Sequence, residues 1–242
     1  MNIIWQTIKW FSDGSHWSGD MGIPHRVLEH VEVSAFALVL ATALALPIGL
    51  LIGHTRRGEL VAVSIGNLGR ALPSFGILAI IFPLTLRYAP GSIGFPPTLI
   101  TLALLGIAPI LTNSYVGIQN VDPDAVEAAR GMGLSGGQVL RSLELPLAAP
   151  LIVAGLRTAA VQIVASATLG VVFAFGGLGS YIVLGFAVND HAEILAGALL
   201  VAVLAIVTEV SFAFLERAVS PRLASKKKPS DAPAEPAVAN QP

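Results

Sequence analysis

Apolar positions come in long, nearly unbroken blocks along the chain. They do not alternate as in a half-buried strand, nor do they keep to one helical face. A helix that crosses about 30 Å of hydrocarbon needs about 20 mostly apolar residues. Four blocks meet that length: 33–53, 98–118, a stretch within 147–175, and 192–214. A fifth, 60–86, is interrupted by Asn67, Arg70 and Pro73. Proline removes a backbone donor, so this block predicts one span broken near Leu72-Pro73, with two half-membrane segments as the alternative. Residues 1–17 place Trp5, Trp10 and Trp17 among Ile3, Ile4, Ile8 and Phe11. No basic start precedes an apolar core there, so the stretch is not a secretory signal. It reads as an amphipathic segment lying in the outer interface, where indoles prefer to sit.

These blocks predict an all-α polytopic membrane protein with about five transmembrane helices. Residues 1–26 form the interfacial segment, 27–216 the membrane domain, and 217–242 a basic and then disordered tail. The last 17 residues hold four prolines and, apart from Val238, no large apolar side chain, which suits disorder. Composition agrees with lipid as the surrounding medium. Charged residues are 12% and hydrophobic residues 54%, against roughly 25% charged in soluble domains. No charge lies between Glu32 and Arg56, or between Glu193 and Glu209. A net charge of -1 excludes a strongly basic nucleic-acid binder, and with no cysteine there is no disulfide scaffold, thiolate zinc site or cysteine nucleophile.

The positive-inside rule then orients the chain. With the N-terminus outside, nine basic residues face inward: Arg56, Arg57, Arg130, Arg141, Arg217, Arg222 and Lys226, Lys227 and Lys228. Three face outward, Lys9, Arg26 and Arg87, and Arg70 and Arg157 lie in or beside spans. The reverse orientation would put the nine outside, so the expected arrangement is N-outside, C-inside.

One connection, 119–146, is too long and too well punctuated for a plain link. Asp122 can cap a helix, Pro123 suits its first position, and Asp124 favours the positive end of its dipole. That helix, 123–132, should end at Gly133 in a left-handed turn. Ser135 and Gln138 fit a capping box that opens a second helix, with Val139, Leu140 and Leu143 on one side, stopping before Pro146. The small residues Ala128, Ala129 and Gly133 allow close approach. The expected product is a helix-turn-helix elbow on the cytoplasmic surface, ordered enough to receive another protein.

This elbow resembles the EAA motif of binding-protein-dependent ABC importer permeases. That motif reads Glu-Ala-Ala, three residues, Gly, nine residues, Ile, one residue, Leu-Pro. Here Glu127-Ala128-Ala129, Gly133, Leu143 in the Ile position, and Leu145-Pro146 stand at those places. The resemblance extends over roughly residues 25–216. Residues 66–84 look like the second span of methionine and glycine betaine permeases; 52–58, 113–133 and 175–182 are closer to the osmoprotectant branch.

The resemblance implies a type I ABC importer permease fold in the bacterial plasma (inner) membrane. It implies that the elbow is a coupling helix seated in a groove of an ATPase subunit. Glu127 would pair with the ATPase surface, Ala128 and Ala129 would form the close-packed face, Gly133 would make the turn, Leu143 would complete the motif, and Leu145-Pro146 would lead into the fourth span. Two ATPase subunits would bind the ATP, so this chain would need no cofactor and catalyse nothing. A second permease copy or paralogue and an extracytoplasmic substrate-binding protein are the further implied partners, with lipid around them. The implied cargo is a small osmoprotectant such as glycine betaine, choline, carnitine or proline. A methionine-type amino-acid importer is the alternative. An ion-coupled secondary transporter is more remote, because such folds show paired repeats with broken helices in both halves. An intramembrane hydrolase would need a nucleophile and base within the spans, and none is placed there.

Two short matches mislead. Residues 134–138 spell LSGGQ, the signature of ABC ATPases, but such a chain carries its own phosphate loop, and after Gly58 a Glu stands where Lys is required. Residues 131–136 fit GxGxxG but follow a helix rather than a strand. Among polar groups in the spans, Arg70 and Arg157 either snorkel to the cytoplasm or line the pathway. Glu209 could pair with Arg157 or Arg217. Gln162, Ser166 and Thr168 form a polar stripe on the fourth span that could line a pathway or bond between helices. Residues 176–179 are expected to make a flexible outer turn, and Asp190, His191 and Glu193 an outer loop. The five histidines show no metal-ligand spacing.

Overall fold

The computed structural model describes residues 2–71, 74–88 and 93–220, without the side chains of 61, 65 and 68–71. Every regular element among the described residues is helical. Helix α1 (Ile3–Ser12) and a 3₁₀ turn (Gly14–Trp17) precede α2 (Ile23–Thr55), α3 (Glu59–Ala71), α4 (Ser74–Tyr88) and α5 (Phe95–Gln119). The elbow is α6 (Pro123–Gly131) and α7 (Gly136–Val139), followed by α8 (Leu145–Ser166), α9 (Gly179–Val188) and α10 (His191–Val219). Four rods are long and apolar enough to cross a membrane: Ile23–Thr55, Phe95–Gln119, Gly136–Phe173 and His191–Val219. They coincide with the four clean apolar blocks. The interrupted block is two helices, α3 and α4; the expected break at Leu72-Pro73 lies outside the described residues, as does the tail from 221.

Helix α5 is the centre of the bundle, packed between α2 and α8. Its neighbour α2 buries one residue per turn: Val33, Ala37, Ala41, Ala45, Gly49 and Gly53. Lipid tails are as apolar as leucine, so helices in a membrane associate by close packing over small residues. A Cβ on Gly49 would fall 2.7 Å from the Ser114 Cβ, and one on Gly53 2.6 Å from the Ile118 Cβ. Across α5, Gly155 of α8 lies against Asn113 and the Pro109 carbonyl. By contrast α10 leaves Val203, Ile206, Val210 and Phe214 exposed, the face available to lipid.

Five local expectations are corrected. The second elbow helix does not stop before Pro146. Leu140–Glu144 forms a π turn, in which the Leu145 N–H donates to the Leu140 carbonyl, and the rod continues as α8. Pro146 cannot donate to the preceding turn, and it follows directly on this π turn inside the continuous rod. The fourth span changes at Ser166 into a 3₁₀ stretch, Ala167–Phe173. The outer turn at 176–179 is tied down, as described below. The Asp190 loop is a tight corner: Asn189 is left-handed (φ 57°) at the end of α9, and Asp190 accepts from the Ala192 and Glu193 N–H groups at 2.9 and 3.1 Å. The N-terminal segment is also more than an interfacial float. Trp10 is buried against Tyr181 with ring centroids 5.3 Å apart, whereas Trp5 and Trp17 stay exposed.

Candidate coupling elbow

The elbow is built by local rules. Asp122 Oδ1 accepts from the Asp124 N–H at 2.9 Å and caps α6, with Pro123 at the first helical position. At its other end Gly133 has φ +89°. The Gly133 N–H donates to the Arg130 carbonyl at 2.9 Å and the Leu134 N–H to the Ala129 carbonyl at 3.2 Å, the paired bonds of a Schellman cap. Gln138 Oε1 accepts from the Ser135 N–H at 2.8 Å and starts α7, so the LSGGQ match is a helix cap. The motif residues divide by exposure. Glu127 and Ala128 face outward, while Ala129 is buried within the chain; consecutive helical residues point about 100° apart, so the two alanines do not share a face. Gly133 and Pro146 are exposed, and Leu143 is half-buried. Leu145 packs toward Ile118, Ala148 and Ile152.

Beneath the elbow is a feature that motif spacing missed. Glu144, in the π turn, is only 4% exposed. Its Oε2 accepts from His54 Nδ1 at 2.6 Å, across from the last turn of α2. An ionised carboxylate can only accept, and with Glu144 in that form the proton of this bond is on Nδ1. The other ring nitrogen faces the start of α7, where a Cβ on Gly136 would stand 3.2 Å away. A cavity of about 420 Å³ opens beside the pair, bordered by Arg56, Glu127 and Arg130 among others. The sequence signal was an acid between two leucines, immediately before Leu-Pro.

Residues 45–225 match the family described as "binding-protein-dependent transport system inner membrane component". The chain belongs to this family. The permease is 34% identical over 197 residues to the choline transport system permease protein OpuBB of Bacillus subtilis, covering 81% of this chain and 88% of that one. It is 36% identical over 201 residues to the carnitine transport permease protein OpuCD of Listeria monocytogenes, covering 83% and 87%. Its fold is that of the permease in the inward-facing MetNI methionine ABC transporter, with a TM-score of 0.71 at 22% identity, covering 82% of this chain and 96% of that one. It is therefore a multi-pass inner-membrane subunit of an ABC importer, not an enzyme, and works with ATPase subunits and a second permease chain.

The pathway residues expected from sequence fall at the end of α8 and just beyond it, with Arg70 on α3. Ser166 borders a small cavity with Ser74, Thr98 and Thr101. Gln162 lies one turn earlier and is half-buried. Thr168, beyond the change to 3₁₀ geometry, turns its hydroxyl back to the Ala165 carbonyl at 2.8 Å, so the stripe does not continue to it. The side chain of Arg70 lies outside the described set. Arg157 pairs with Glu209 at 3.5 Å and Glu216 at 2.8 Å, joining α8 to α10.

At the far end of the permease is a clasp that sequence reasoning also missed. Glu29 Oε2 accepts from the Gly177 N–H at 2.8 Å and from Arg26 Nη1 at 2.7 Å. Fully buried His30 accepts from the Leu178 N–H at Nδ1 (3.3 Å) and bonds the Val164 carbonyl through Nε2 (2.9 Å). The signal available was position: His30 lies three residues before Val33, on the buried stripe of α2.

Proposed function

We propose that the permease imports a small osmoprotectant of the glycine betaine, choline, carnitine or proline class, driven by ATP that its partner subunits bind and hydrolyse. A substrate-binding protein delivers the cargo on the outer side, lipid surrounds the spans, and the N-terminus lies outside with the elbow and C-terminus inside. The observation that carries the substrate class is 34–36% identity over four fifths of the chain to permeases named for choline and carnitine transport. In this reading the ATPase groove receives α6, with Glu127 and Ala128 at the contact. Ala129 holds α6 to its own chain, Gly133 makes the corner, and Leu143, Leu145 and Pro146 hand the movement to α8. Arg70, Gln162, Ser166 and Thr168 are pathway candidates, with Ser166 the best placed because it borders an internal cavity.

The test is uptake of labelled glycine betaine, choline, carnitine and proline in cells lacking their own importers. The permease is co-expressed with its partner subunits, intact or as Gly133→Asp. At φ +89° any side chain is strained, and an acid changes the elbow's charge as well. The expected outcome is uptake of at least one of these substrates by the intact chain, reduced by at least about tenfold in the variant at equal membrane levels. Uptake of methionine alone would overturn the osmoprotectant assignment. Undiminished uptake by Gly133→Asp would overturn the role of the elbow.

A further inference from the structure

We infer that His54 and Glu144 form a strut that carries movement of the elbow into the first span as well as the fourth; this rests on the elbow being the ATPase contact. Glu144 belongs to the same continuous rod as α7 and α8, so any displacement of the elbow along that rod reaches α8 directly. Helix α2 has no such covalent continuity. Beside the apolar cluster that Leu46 and Leu50 share with Leu140 and Leu145, its polar link to the elbow rod is the 2.6 Å bond from His54 to a carboxylate that is almost wholly buried. Such charge-assisted bonds are short and roughly twice as strong as neutral ones.

Three further observations favour a transmitting role over plain packing. The acceptor sits in a π turn, a geometry found in well under 1% of residues and frequently at functional sites. On its other side the His54 ring faces Gly136, where an added Cβ would stand 3.2 Å from Nε2, so the start of α7 lies close to the imidazole. Immediately before His54, Gly53 locks α2 onto Tyr115 and Ile118 of α5, which turns a pull on the imidazole into a movement of the packed α2–α5 pair. His54 and Glu144 are thus positioning residues, and a buried carboxylate left without its donor is costly.

The test uses the assembled importer in proteoliposomes and reads substrate uptake and ATP hydrolysis in the same vesicles. Loss of the strut lowers uptake per ATP hydrolysed by about tenfold in His54→Ala, and His54→Gln, whose side-chain amide can still donate to Glu144, recovers most of that ratio. If His54→Ala does not accumulate, Glu144→Leu, which keeps the bulk and has no acceptor, is read instead and the ratio falls in the same direction. Because the chain has no cysteine, spin labels at Thr55→Cys and Gly131→Cys add a second readout. Their separation stays single and narrow on vanadate trapping in the otherwise native chain, and broadens in the His54 or Glu144 variant. An unchanged ratio with unchanged distance distributions overturns the strut. Failure of the elbow reading looks different: the ATPase subunit would then not co-purify in a way that depends on Gly133, whatever happens at His54.

Discussion

His30 shows how much one side chain can hold in a membrane protein. Its two ring nitrogens are both used, one toward the Leu178 N–H and one toward the Val164 carbonyl, so the neutral imidazole joins α2, α8 and the turn before α9. His30→Leu keeps the bulk and removes both bonds. Leaving a buried N–H unpaired costs about 1–3 kcal/mol, so the variant is expected to melt at lower temperature in detergent, with His30→Gln between it and the native chain. Equal melting of all three would mean that the clasp contributes nothing. Such pairings were not legible in the sequence. His30 and Leu178 are 148 positions apart, and no local pattern links a histidine in one span to a backbone group in a glycine-rich turn. The same holds for His54 and Glu144, 90 positions apart. The elbow residues were legible because Asp122, Pro123, Gly133 and Gln138 act on neighbours a few residues away, where capping rules apply.

At the scale of elements, the rods could be read from apolar block length alone, and their interruptions could not. The π turn and the 3₁₀ stretch at the two ends of α8 depend on what packs around them. So does the face of α2 that meets α5, although the four-residue recurrence of Ala37, Ala41, Ala45, Gly49 and Gly53 announced it once the contact was known. This predicts a contrast between two glycines. Gly53→Val meets the Tyr115 carbonyl at 2.9 Å and the Ile118 Cβ at 2.6 Å. Backbone there cannot give way, so overpacking costs about 1–3 kcal/mol or more. Gly137 has nothing within 4 Å of an added Cβ and lies in α7, so Gly137→Ala gains about 0.5–1 kcal/mol. Thermal melts of the two purified variants check the signs: down for Gly53→Val, up or level for Gly137→Ala. A stable Gly53→Val would show that α2 and α5 do not pack this closely in the membrane.

In the whole molecule, α2 and α8 run antiparallel on either side of α5 and are fastened at both ends. His30 reaches Val164 at the start of α2, and His54 reaches Glu144 at its end. The two histidines are 24 residues apart in one helix, about 36 Å at 1.5 Å per residue, slightly more than the hydrocarbon thickness of about 30 Å. Each polar clamp therefore falls at one edge of the membrane, where water can reach its surroundings. The elbow is at the His54 edge and the 3₁₀ turn of Gly14–Trp17 precedes the His30 edge. Arg56, Arg57, Arg130 and Arg141 stand together at the His54 edge, and the positive-inside rule predicts a cytoplasmic location for it. Two single cysteines decide it, since the native chain has none. Gly14 and Gly131 both have open space around an added side chain. Gly14→Cys is expected to react with a membrane-impermeant maleimide in spheroplasts, and Gly131→Cys only in inside-out vesicles. The opposite pattern would invert the chain, leave the elbow on the side without ATP, and remove the basis for coupling through His54.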